Sequence, residues 1–212
     1  MISSLTSDQA ATVRLSAAVA SRNEGSIREA MGVAKFVAPA VIEEVLLQSY
    51  LFLGYPLALN AIALWRSVSG APAPKQAATD QDVWAERGHD VCSTVYGGQY
   101  EGLKNNVRAL HPDLERWMIE EGYGKVLGRP GFSLVDRELN IVALLVVLGV
   151  PRQLYSHLRG ALNAGAAPAL VSTGTPEVFM EIPAKRQLTR YQRPGTAYQS
   201  INRNDKDRKS VV

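Results

Sequence analysis

Three side chains in the C-terminal half have the types and spacing that proton transfer requires. Gln153 and His157 stand four residues apart, so on a helix they share one face. Glu138 precedes His157 by 19 residues, far enough to sit on a preceding helix that folds back. An imidazole titrates near neutral pH, and a carboxylate beside it in apolar surroundings makes a proton-transfer pair. The competing reading is structural. A lone histidine on a helix is more often a packed core or surface residue, and a glutamate in a first helical turn often only answers the helix dipole.

These residues need a helical hairpin to bring them together, and the sequence supplies one. Ser133 or Asp136 can cap a first helix by accepting from first-turn amides. Leu139, Ile141, Val142, Leu144, Leu145, Val146, Val147 and Leu148 then follow almost without a polar break, the pattern of a buried helix. Gly149 ends it, and Pro151 suits the first turn of the next, where its missing N–H costs nothing. The second helix should run to about Asn163 and stop at Gly165.

The segments Arg137-Glu138-Leu139, Gly149-x-Pro151 and Gln153-Leu154-x-x-His157-x-x-x-Ala161-Leu162-Asn163-x-Gly165 resemble the core of the carboxymuconolactone decarboxylase family, which also includes alkyl hydroperoxidase D. Upstream, Tyr123-Gly124-x-Val126-x-x-Arg129-Pro130-Gly131 is similar to that family's lead-in. The resemblance covers about Gly88 to Pro168. The peroxidase branch carries Cys-x-x-Cys where this chain has Val150 and Gln153, so both thiols are absent.

The resemblance implies a cofactor-free lyase acting on a small carboxylated lactone, with no metal and no organic cofactor. His157 would donate the proton, Glu138 would tune or orient it, and Gln153 or Arg137 would hydrogen-bond the substrate. It also implies a homo-oligomer, a trimer or hexamer, and leaves open a non-catalytic helical assembly of the same family. A peroxidase label would come by inheritance alone, because a sulfenate needs a second sulfur to resolve it and Cys92 is the single cysteine.

The rest of the chain is consistent with an all-α fold in two helical halves. Helices are expected at about 5–20, 26–36, 40–53 and 57–68, forming an N-terminal half over 1–68. Residues 69–82, with Gly70, Pro72 and Pro74, read as a linker. The C-terminal half spans 83–171, with helices expected over 102–110 and 112–122. His111 before Pro112 reads as a turn residue, and Cys92 as an inert buried thiol. Val45 to Trp65 approaches membrane-span length, but Gln48, Ser49 and Asn60 interrupt it and Gly54-Tyr55-Pro56 breaks it, so two buried helices with a turn are expected.

Two internal echoes suggest a tandem or permuted repeat. Ser26 to Met31 is similar to Ser156 to Leu162, at an offset near 130 that puts Ile27 or Arg28 where His157 stands. Glu43, Leu53, Gly54, Pro56 and Leu59 match Glu138, Leu148, Gly149, Pro151 and Leu154 at an offset of 95.

Charge is unevenly spread. Residues 184–212 hold eight Lys or Arg against two Asp, a net of +6, which leaves −3 on the body of a chain whose total is +3. That argues for a basic, disordered tail over 172–212 and against a nucleic-acid footprint on the body. One cysteine and a polar N-terminus without a signal-peptide pattern point to the cytoplasm; the resemblance implies a small-molecule substrate, and no membrane or nucleic-acid partner is expected.

Overall fold

The computed structural model describes residues 4–75 and 82–171. The tail over 172–212 and the middle of the linker lie outside the described residues. Among the described residues the fold is all-α, with no strand. The helices are α1 (Ser7–Ser21), α2 (Glu24–Ala34), α3 (Pro39–Ser69), α4 (Asp82–Tyr96), α5 (Tyr100–Leu110), α6 (Pro112–Trp117), α7 (Leu134–Leu148) and α8 (Pro151–Asn163). A 3₁₀ turn, Gly97–Gln99, joins α4 to α5, and a π-helix, Met118–Leu127, follows α6.

Local chemistry sets the boundaries. Thr6 and Gln9 form a reciprocal capping box at the start of α1. Asn23 caps α2 through the Ser26 amide, and Ser133 caps α7 through the Asp136 amide. Pro39 and Pro151 open α3 and α8. Gly149 ends α7 in the left-handed region at φ 68°. Within α3, Gly54 takes φ 75°, ψ 167° and breaks the helix in two, a conformation open essentially to glycine alone.

The N-terminal half has a core of its own, with Leu15, Met31, Ile42, Leu46 and Trp65, and its first helix also serves the other half. α1 lies along α7, with Val13 and Ala17 among Leu139, Val142, Ala143, Val146, Leu158 and Ala161. A buried polar seam fixes their register: Ser16 donates to Asn140 Oδ1 at 2.8 Å, and Asn140 Nδ2 reaches Thr12 Oγ1 at 3.3 Å. One residue set thus completes the apolar coat that α7 needs on all sides.

The helix expected over 112–122 changes form. From Met118 it widens into the π-helix, which lies against α4. Gly124 meets the backbone of Trp84, and Gly88 meets that of Ile119, so closely that a Cβ at either would overlap main-chain atoms. A π-helix of this length is rare, so the sequence is read as an ordinary helix here.

The expectation of two buried helices across Val45 to Trp65 needs correction on one point. The break at Gly54 is present and Val45 to Leu53 is buried or half-buried throughout, but beyond Gly54 the helix is buried on one side only. Tyr50–Ser69 is long and apolar enough to cross a membrane by length and composition, with only 22% of that window buried. Ala58, Ala61 and Trp65 face inward, and the opposite side is uncovered.

Candidate functional site

α7 and α8 bring Glu138 and His157 together. His157 Nδ1 lies 2.8 Å from Glu138 Oε2. Glu138 is fully buried and His157 is 6% exposed. Glu138 Oε1 has no hydrogen-bond partner among the described residues. A buried carboxylate oxygen left without a donor is costly.

Burial of the pair depends on a glycine. A Cβ on Gly160, one turn after His157, would sit 2.7 Å from Glu138 Oε2 and 2.7 Å from Val95 Cγ1. Only a hydrogen at this position lets α8 approach α7 and α4 together. Asn163 Nδ2 then donates to the Val95 carbonyl at 2.9 Å and ties the end of α8 to α4. Phe52, from the first half of α3, meets the imidazole edge-on at 5.8 Å between centroids. Sequence reasoning missed these neighbours. A glycine inside a helix, which costs about 1 kcal/mol against alanine, was the signal that marked Gly160.

Around Glu138 stand groups that hold their protons. Cys92 is fully buried, and burial, then the nearby Glu138 carboxylate, push its thiol well above its usual range. Burial likewise drives Tyr123 and Tyr96 up, with the Glu138 charge adding to both. Their rings meet edge-to-face at 6.1 Å. The pair therefore sits among weak acids that stay neutral, and Cys92 is the inert thiol that its sequence context suggested.

The other two expected site residues lie elsewhere. Gln153 is exposed in the first turn of α8, which overhangs the packed body, so sharing a face with His157 does not bring it under cover. Arg137 is wholly buried but points away from Glu138, as adjacent residues on a 3.6-residue turn must. Its Nη2 contacts Glu44 Oε2 at 2.8 Å and the Arg129 carbonyl at 3.0 Å, and its Nη1 approaches Gln48 Oε1 at 3.4 Å. Arg129 shares Glu44 at 3.0 Å. Burial pulls the Arg137 guanidinium below its ordinary value, against the opposing pull of Glu44. This cluster joins α3 to the start of α7 and is a structural ion-pair network. Among the described residues no group of three His, Cys, Asp or Glu could hold a metal ion.

The first hairpin repeats the plan with different chemistry. Glu43, in the first half of α3, reaches across to the second half. Its carboxylate takes Arg66 at 2.5 and 2.7 Å and the Trp65 indole N–H at 3.0 Å. At the offset of 95 the glycines Gly54 and Gly149 both have positive φ, but their ψ values differ, 167° against 39°, and Arg66 corresponds to Ala161 rather than to His157. In the other register Arg28 pairs with Glu24 on the surface, at 2.7 Å.

No family model matches the chain, and no solved structure matches it. A curated protein does: peroxisomal protein 2 of Schizosaccharomyces pombe is 30% identical over 149 residues, covering 67% of this chain and 68% of that protein. This chain belongs to the peroxisomal protein 2 family. That relative is by its name a peroxisomal protein, which does not single out the cytoplasm expected from the sequence. For this member of the peroxisomal protein 2 family, the Glu138–His157 pair is the arrangement best suited to chemistry. Its Nδ1 is committed to the carboxylate, which leaves Nε2 as the nitrogen able to exchange a proton with a bound molecule.

Proposed function

We propose that the chain is a cofactor-free acid–base catalyst that decarboxylates, or moves a proton on, a small carboxylated lactone. The observation that carries this reading is the buried 2.8 Å contact between His157 Nδ1 and Glu138 Oε2. It is supported by the resemblance of the surrounding motifs to the carboxymuconolactone decarboxylase family. In the reaction the bond to the carboxylate breaks, carbon dioxide leaves, and the electron pair passes into the unsaturated lactone as a dienolate. His157 Nε2–H then gives its proton to carbon, and the imidazole is reprotonated from solvent. Glu138 holds the ring and stabilises its charged form. Gln153, exposed one turn before His157, is better placed than Arg137 to meet the substrate, because Arg137 is engaged with Glu44.

A second reading, a helical assembly protein without activity, is favoured by the uncovered apolar side of α3. In either reading the resemblance supports a homo-oligomer, a trimer or hexamer. The relative's name favours the peroxisome over the cytoplasm as the compartment, and imaging of a tagged chain against a peroxisomal marker tests that.

The deciding assay follows loss of the ultraviolet absorbance of 4-carboxymuconolactone. Wild type should turn over, and His157→Ala should lose about 10²–10⁴-fold in rate, as for a positioned acid–base group. Wild type inactive on this and related carboxylated lactones would sink the lyase reading and favour the assembly.

A further inference from the structure

The second half of α3 leaves one side of the molecule without a cover. From Val45 to Trp65 the sequence holds no charged residue, yet beyond Gly54 only Ala58, Ala61 and Trp65 are buried. Tyr55, Leu59, Ala63 and Ser67 recur at a spacing of four and all face solvent. Tyr55 is 63% exposed and Leu59 60%. A contiguous uncharged surface of this kind marks an interaction site.

We propose that this face is a two-fold interface, at which α3 packs antiparallel against α3 of a second copy of the chain. The order of sizes along the row points to a second copy. The large residues, Tyr55 and Leu59, stand at one end and the small ones, Ala63 and Ser67, at the other. Set antiparallel about an axis near residue 61, Leu59 meets Ala63 of the copy and Tyr55 meets Ser67. Each large side chain then faces a small one, as interdigitating layers need. A two-fold axis makes both contacts occur twice. Rows at a spacing of four are also the ridges that helix pairs most often interlock.

Charge agrees with this occupant. The nearest cation, Arg66, is held by Glu43 at 2.5 and 2.7 Å, so two copies meet without burying an unpaired charge. A bilayer fits less well. A helix lying on a membrane carries Lys or Arg along its polar flank, whereas the polar members here are Asn60 and Ser67. From Tyr55 to Ser69 the helix is ~22 Å long at 1.5 Å per residue, short of the ~30 Å hydrocarbon core, and Ala61 and Trp65 already tie its inner side into the fold.

Light scattering on the full chain should give an even multiple of 23.0 kDa. Leu59→Lys should weaken association by about 30-fold or more, the size of an interface hot spot, and move the particle to half its mass. Its circular dichroism should not change, because the position is exposed. Adding Ala63→Glu should restore association, since the two introduced charges face each other across the axis. Ala63→Cys in an otherwise wild-type chain, treated with a short bismaleimide, should yield a cross-linked dimer. A 23.0 kDa wild-type monomer, a trimer, an oligomer indifferent to Leu59→Lys, or a monomer that co-floats with anionic phospholipid vesicles would each overturn the proposal, the last in favour of a lipid surface.

Discussion

Replacing Gly160 by alanine adds a single methyl group, and its consequences can be worked out from two contacts. The new carbon would lie 2.7 Å from both Glu138 Oε2 and Val95 Cγ1. Carbon–carbon contacts are optimal at about 3.5–4.0 Å, so Val95 must retreat by about an ångström or α8 must lift. Overpacking of this sort costs roughly 1–3 kcal/mol. Alanine returns about 1 kcal/mol through helix propensity. The net is a destabilisation of about 1 kcal/mol, which lowers Tm by roughly 2–4 °C in a chain of this size. Gly102, in α5, is the control: a Cβ there meets nothing within 4 Å. Gly102→Ala should raise stability by about 0.5–1 kcal/mol. The same chemical change therefore has opposite signs at two helical sites. Thermal unfolding by circular dichroism reads both, and the imidazole resonances of His157 read the pair directly. Gly160→Ala as stable as Gly102→Ala, with His157 unmoved, would refute the claim that this glycine makes room for the pair.

Four further outcomes are expected. Glu138→Gln should lower activity alongside His157→Ala, whereas His157→Ala alone should also cost about 3–5 kcal/mol by stranding a buried carboxylate; denaturant unfolding separates the two. Arg137→Leu should destabilise by about 3 kcal/mol, because Glu44 loses its buried partner, and a changed KM with unaltered stability would instead put Arg137 on the substrate. Gly54→Ala should cost about 1–3 kcal/mol for its φ/ψ region, while Arg22→Gly, relieving a left-handed residue at φ 62°, should gain up to about 1 kcal/mol; urea midpoints decide both. The fourth outcome concerns pH. Cys92 is raised by burial, and Tyr50 is pushed up to about 12 by burial, then by Glu121 and Tyr55. The unfolded chain thus releases these protons first. Stability from these groups is intact below their unfolded pKa values and falls as pH rises through them, so Tyr50→Phe should flatten the loss between about pH 10 and 12.

The hairpin was legible because its signals are local. Ser133, Gly149, Pro151 and the unbroken apolar run of α7 each act within a few residues of themselves, and the 19-residue spacing then sets Glu138 opposite His157. What escaped the sequence depends on distant partners. Arg137 looks like a substrate ligand until Glu44, 93 residues away, is found beside it. Gln153 shares the face of His157 but stands in a turn that the body does not reach. The π-helix is set by two glycines on different segments, Gly88 and Gly124, meeting backbone to backbone. The uncovered side of α3 was read as buried because apolar composition does not say which neighbour, or which molecule, supplies the cover.

The two hairpins give the molecule an internal control. Both hold a first-helix glutamate with a group from the helix beyond a left-handed glycine. In one the group is Arg66, a cation that never releases its proton at physiological pH. In the other it is His157, whose Nδ1 lies 2.8 Å from Glu138 Oε2. Transplanting function is then a question about one side chain. His157→Arg would set a permanent cation beside Glu138 and remove the imidazole, so the site should lose its acid–base activity. A guanidinium there could hold the carboxylate but could not pass a proton to a bound molecule.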